Sequence, residues 1–138
     1  MFVLFNLAIS LMVQVGGWET FADTTFDWVW SDEYESHIEI PTFSKRVRSL
    51  DGSEITLTGH YIPMELDGNR VIISKQPFAD CFFCGGAGPE SVAEVVFKSP
   101  QKVFKPDELL TVKGRLKLNK YDYEHMVFII ENATIINL

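Results

Sequence analysis

Cysteine is scarce in this chain, since only Cys81 and Cys84 occur among its 138 residues. Positive charge is scarce too: 12 Lys and Arg stand against 19 Asp and Glu, which leaves a net charge of −7. Affinity for nucleic acid depends on cationic side chains that neutralise phosphates. The composition therefore argues against a nucleic-acid partner, while a hydrophobic share of 46% is typical of one packed domain.

Motifs of the common enzyme classes are also missing from the sequence. It contains no serine nucleophile elbow, no His-Glu-x-x-His zinc motif, no Asp-rich calcium loop and no phosphate-binding P-loop. Carboxylates are plentiful, but no spacing pairs two of them for acid–base work. The sequence favours a non-enzymatic domain.

The N-terminus has no charged residue before Glu19. Phe2–Val15 is an apolar run of 14 residues, shorter than the roughly 20 that span a bilayer. It matches the core of a secretory signal, although the usual basic start is absent. We predict a signal peptide over residues 1–17, cut before Trp18, a periplasmic or secreted location, and no membrane span after cleavage. A buried N-terminal segment and an uncleaved anchor are the alternatives.

Residues 18–40 combine three tryptophans, Trp18, Trp28 and Trp30, with many acidic residues. The pattern has neither helical nor strand periodicity. We predict an irregular lead-in that lies across the core through its aromatic rings, with a short helix at Asp32–His37.

From residue 41 onwards the pattern becomes that of strands. Apolar residues alternate with polar ones, and turn residues such as Asp51-Gly52 and Asp67-Gly68-Asn69 separate the runs. Gly59 interrupts one run, as expected at a bulge or sharp bend. We predict an all-β fold, a five-stranded OB-like antiparallel barrel over residues 41–138. A β-sandwich is the alternative. The predicted strands are Glu54–Tyr61, Val71–Ser74, Ser91–Lys98, Leu110–Leu118 and a final one from Met126.

The stretch "CFFCGGAGPES" lies between the second and third predicted strands and permits three interpretations of Cys81 and Cys84. In an exported protein, an even number of cysteines suggests a disulfide, either structural or redox-active. The glycines after the pair oppose the helix start that a thioredoxin-like thiol needs. The thiols could also be inert hydrophobic residues.

A metal site is the remaining interpretation. Two thiolates two residues apart suit a soft ion such as zinc or copper, and Gly85, Gly86 and Gly88 allow a tight site turn beside them. The missing ligands would come from a homodimer or from histidine. The same glycines could form an anion-binding nest. The candidate histidines are His37, His60 and His125.

Three stretches together resemble a family of small uncharacterised exported proteins of Bacteroidota. These stretches are "WETFADTTF", "PTFSKRVRSLDGSEITLTGHYIPM" and "CFFCGGAGPESVAEV". The middle stretch is also similar to a broader group of uncharacterised periplasmic proteins. The resemblance implies an exported, barrel-like domain and carries no activity with it.

The resulting hypothesis is an exported, non-enzymatic barrel domain whose Cys81/Cys84 turn binds a soft metal ion or meets a redox partner. The expected partner is a periplasmic protein or a second copy of the chain. The alternatives are a thiol-disulfide oxidoreductase and an OB module that binds protein or oligonucleotide.

Overall fold

The computed structural model describes residues 17–66 and 69–136. The predicted signal peptide, apart from Gly17, lies outside these residues, as do Asp67 and Gly68 of a predicted turn. No helix in the described ranges is long and apolar enough to cross a membrane.

The described chain is built mainly from strands. Two short helices flank the first two strands, and three single 3₁₀ turns lie between the fourth and fifth strands. The elements are α1 (Gly17–Phe21), β1 (Thr24–Ser31), β2 (Ser36–Phe43), α2 (Lys45–Ser49), β3 (Glu54–Ile62), β4 (Arg70–Ser74), β5 (Val92–Phe97), β6 (Leu109–Leu118) and β7 (Phe128–Ile135).

Strands β3 to β7 close into a barrel in the order β3-β4-β5-β7-β6. This confirms the predicted all-β, five-stranded OB-like barrel. The prediction is wrong in one respect, because β5 and β7 run parallel while the other pairs are antiparallel. A closed ring with an odd number of strands cannot alternate in direction throughout, so at least one neighbouring pair must be parallel.

Two mid-strand glycines permit close approach between neighbouring strands. Pairing of β3 with β6 runs unbroken through Gly59, where a Cβ would lie 3.0 Å from the Ser74 carbonyl oxygen. The β3–β6 pairing therefore has no bulge at Gly59, whereas the β6–β7 register shifts at Gly114, between Lys113 and Arg115. A Cβ on Gly114 would lie 2.7 Å from the Glu131 carbonyl oxygen, so a larger residue would push the strands apart.

The barrel interior is filled by the inward side chains of its strands. On β6 burial alternates along the strand, as the period-two pattern predicts, with Val112 and Leu116 fully buried. Helix α1 adds Phe21, whose ring stacks on that of Phe128 with centroids 3.9 Å apart. Trp18 of the same helix donates from Nε1 to the Thr58 carbonyl oxygen on β3 at 2.7 Å, which connects the helix to the barrel.

The segment predicted to be irregular forms a regular antiparallel hairpin. Strands β1 and β2 pair in unbroken register from Thr24 with Phe43 to Ser31 with Ser36. The helix predicted at Asp32–His37 is instead the hairpin turn and the first residues of β2. Most of β1 is exposed on both faces, so its burial does not alternate and the strand has no core-facing side that would mark it as half-buried.

Candidate ligand-binding pocket

The cysteine–glycine segment connects β4 to β5, which are the second and third barrel strands, as predicted. A 3₁₀ turn covers Phe82–Cys84, and Gly85 ends it with a left-handed φ of 79°. A Cβ on Gly86 would lie 2.5 Å from the Asp80 carbonyl oxygen, so the tight turn requires glycine there.

The turn uses its own backbone donors. The N–H of Gly85 donates to the Phe82 carbonyl at 3.0 Å, and that of Gly86 donates to the Cys81 carbonyl at 3.0 Å. The carbonyl of Gly88 accepts from the backbone N–H of Ser91 at 3.1 Å. Two of the N–H groups proposed for an anion-binding nest, those of Gly85 and Gly86, thus donate within the turn itself. The glycines therefore serve mainly to form the turn.

Cys81 is fully buried. It belongs to a small apolar cluster whose buried members are Ile62, Ile72, Cys81 and Val92. Reactive and catalytic cysteines usually lie in partly exposed, electropositive surroundings. The position of Cys81 is that of a packed core residue.

The three candidate histidines occupy different environments. His60 Nδ1 lies 3.3 Å from the Asp107 carbonyl oxygen, and the His37 ring packs edge to face with Trp30. His125 Nδ1 lies 2.9 Å from Glu94 Oε2. Among the side chains that the structure describes, no three of His, Cys, Asp or Glu gather as a metal site would require. Metal binding by Cys81 and Cys84 stays a prediction.

A cavity of about 450 Å³ lies where the β1–β2 hairpin, the cysteine–glycine segment and the β6–β7 loop meet. We call it the hairpin pocket. The hairpin contributes Phe26, Trp28, His37, Ile38 and Glu39. The segment entering β5 contributes Phe82, Pro89 and Val92. The loop contributes Tyr123, His125, Met126 and Val127.

The β6–β7 loop is fixed internally and to the hairpin. Asn119 Nδ2 donates to the carbonyls of Asp122 at 2.6 Å and Met126 at 3.1 Å, which holds the loop in shape. Tyr123 Oη donates to the Glu39 carbonyl at 3.2 Å, and its ring packs against Tyr34 with centroids 5.3 Å apart. The pocket walls are therefore joined across elements far apart in sequence.

The pKa values of the two tyrosines at this junction are raised. Partial burial and the neighbouring carboxylate of Glu33 raise the pKa of Tyr34, with smaller contributions from Asp122 and Glu124. Partial burial and the adjacent Tyr34 raise the pKa of Tyr123. Each phenol therefore stays protonated to higher pH than an ordinary tyrosine.

A polar cluster around the buried carboxylate of Glu94 links the loop to the barrel wall. Glu94 on β5 is only 2% exposed, and its Oε1 lies 3.0 Å from Arg70 Nη1 on β4. His125 from the loop completes the cluster and also lines the hairpin pocket. Glu94 was not among the site residues predicted from the sequence. Its position as the single carboxylate within the otherwise apolar strand "VAEVVF" could have indicated a buried, paired charge.

These features define a class of protein: an OB-like barrel domain with an added N-terminal hairpin and an apolar pocket between them. No family model and no curated protein matches the sequence. The fold is similar to that of a DUF3299 family protein from Pseudomonas aeruginosa, known from a crystal structure, with a TM-score of 0.50. The two chains are 15% identical over 71% of this chain and 68% of the other, so the likeness shows the fold alone.

Proposed function

We propose that this chain is an exported, non-enzymatic binding domain whose ligand site is the hairpin pocket. The observation that carries the proposal is the pocket itself. Its volume of about 450 Å³ falls within the range of about 300–1,000 Å³ typical of small-molecule sites. Its walls are mostly aromatic and aliphatic, with a few polar groups, among them His37, Glu39 and His125, to orient a ligand.

The lining favours binding over catalysis. No serine, threonine, cysteine or lysine nucleophile is among the described residues that line the pocket. The imidazole of His125 is already engaged by Glu94. The remaining groups suit recognition of shape and polarity.

The proposal gives Cys81 and Cys84 a structural role as a disulfide. Cys81 packs in the cluster beside Phe82 and Val92, which both line the pocket. A bridge between Cys81 and Cys84 would hold this pocket wall in position. The burial of Cys81 disfavours the oxidoreductase alternative.

Alkylation of unfolded protein, before and after reduction, tests the bridge. Protein recovered from the periplasm should show no free thiol before reduction and two afterwards. Two thiols without reductant, in protein protected from reduction during recovery, would contradict the bridge. The resemblance of residues 81–91 to exported proteins of Bacteroidota supports an exported location. If the signal peptide is cut as predicted, N-terminal sequencing of the same material should begin at Trp18.

Binding is tested with Nile red, a neutral fluorophore that brightens in apolar sites. We expect wild-type protein to enhance its fluorescence saturably and Trp28→Ala to weaken the affinity about tenfold, because Trp28 forms part of the wall. Tyr121→Ala is the control: it removes an exposed aromatic ring that lies outside the pocket lining. Equal losses in both variants, or no saturable binding, would contradict the proposal.

A further inference from the structure

We infer that the hairpin pocket selects ligands that join an apolar body to a positively charged group, such as an amphiphilic ammonium. This inference rests on the proposed binding function and adds the chemical class of the ligand. It follows from two properties of the walls, their charge and their aromatic rings.

The charge around the pocket is one-sided. Glu39 lines the pocket, whereas no lysine or arginine is among the described residues of the lining. Glu33, Asp122 and Glu124 lie close enough to Tyr34, at the junction of hairpin and loop, to help raise its pKa. These carboxylates attract a cation and repel an anion.

Two cationic side chains near the loop have partners within the protein. Arg70 binds Glu94 through Nη1 at 3.0 Å, so that their charges offset each other beneath His125. Lys120 Nζ lies over the ring of Tyr121, 5.6 Å from its centroid. A ligand carboxylate entering the pocket would therefore meet negative neighbours without a lysine or arginine in the wall to pair with.

Aromatic rings form much of the wall. Phe26, Trp28, Phe82 and Tyr123 come from three separate elements and surround the same space. The face of an aromatic ring attracts cations, tryptophan most strongly, and aromatic cages of this kind recognise organic ammonium groups. Met126 supplies an adaptable apolar contact for the rest of the ligand.

Three probes with the same decyl chain isolate the effect of charge: decyltrimethylammonium, decanol and decanoate, each below its aggregation threshold. Each probe is titrated against bound Nile red and by calorimetry at low salt. We expect the ammonium to bind at least about tenfold more tightly than decanoate, with decanol between them, and the difference to shrink as salt screens the carboxylates.

Glu39→Gln should reduce the preference for ammonium over decanoate severalfold while leaving decanol affinity unchanged. Asp27→Asn is the matched control, because it makes the same charge change on the hairpin outside the pocket lining and should leave the preference near that of wild type. If the three probes bind equally, or decanoate binds best, the inference on charge is overturned and the proposed binding function stands. If none of the probes binds, the proposed function fails and the inference fails with it.

Discussion

The barrel and the hairpin use strands in opposite ways. In the barrel each strand has two neighbours and an inward face, and residues such as Val95, Leu116 and Ile130 are fully buried. In the hairpin each strand has one neighbour, and Trp28 and Trp30 are 67% and 54% exposed. A two-stranded hairpin is marginally stable alone and depends on what it packs against. Stability therefore resides mainly in the barrel, while the hairpin forms one wall of the proposed binding site.

The largest effect should come from the barrel interior. Leu116→Ala removes a fully buried side chain and should lower the free energy of unfolding by about 2–5 kcal/mol, because it leaves a cavity in a closed core. Urea denaturation measures the loss. Lys117→Ala, at the next and outward position, is the control and should change stability by less than about 1 kcal/mol. Similar losses in the two variants would contradict the conclusion that stability resides in the barrel interior.

The next effect should come from the cluster that connects barrel and loop. Glu94→Gln keeps the shape of the side chain but removes the charge that Arg70 and His125 contact, so we expect a loss of about 1.5–3 kcal/mol in urea denaturation. Glu54→Gln is the matched control, since its pair with Lys113 is exposed. An unchanged stability in Glu94→Gln would show that the cluster does not anchor the loop.

Trp28→Ala should have a much smaller effect on stability despite the size of its ring. Because the side chain is mostly exposed, we expect the free energy of unfolding to change by less than about 0.5 kcal/mol, even as ligand affinity falls. Urea denaturation without ligand provides the measurement. A loss of the size expected for Leu116→Ala would mean that the hairpin is part of the cooperative core.

The smallest effect concerns alkaline pH at the junction of hairpin and loop. Because the native pKa values of Tyr34 and Tyr123 are raised above 10.0, the native state favours the protonated phenols. The stability they contribute is fully present below the unfolded-state pKa of about 10 and is lost as pH rises through the higher native values. Tyrosinate absorbance, compared between wild type, Tyr34→Phe and Tyr123→Phe, reports each midpoint. Midpoints equal to those of the unfolded chain would contradict the packing described for this junction.

The sequence predicted the barrel well and the hairpin poorly, for a physical reason. Barrel strands alternate between buried and exposed residues, as in β6, and this alternation is visible in the sequence. Strand β1 buries little on either face, so it has no core-facing side for the sequence pattern to reveal. The parallel β5–β7 pair follows from ring closure, a property of the whole fold that no single stretch displays.

The candidate site was only partly predictable. The sequence identified the cysteine–glycine turn and its place between barrel strands. It could not show that Cys81 packs against Ile62 and Ile72, because those contacts depend on how the barrel folds. The hairpin pocket combines residues 26–39, 82–92 and 123–127, which only tertiary structure brings together.

The most direct test of the hairpin pocket as the ligand site is a ¹⁵N–¹H NMR titration with decanol. We expect shift changes to concentrate in the β1–β2 hairpin, around Phe82 and Val92, and in the loop around Tyr123. Changes centred on the paired stretches of β3 and β6, or no saturable change at all, would contradict it.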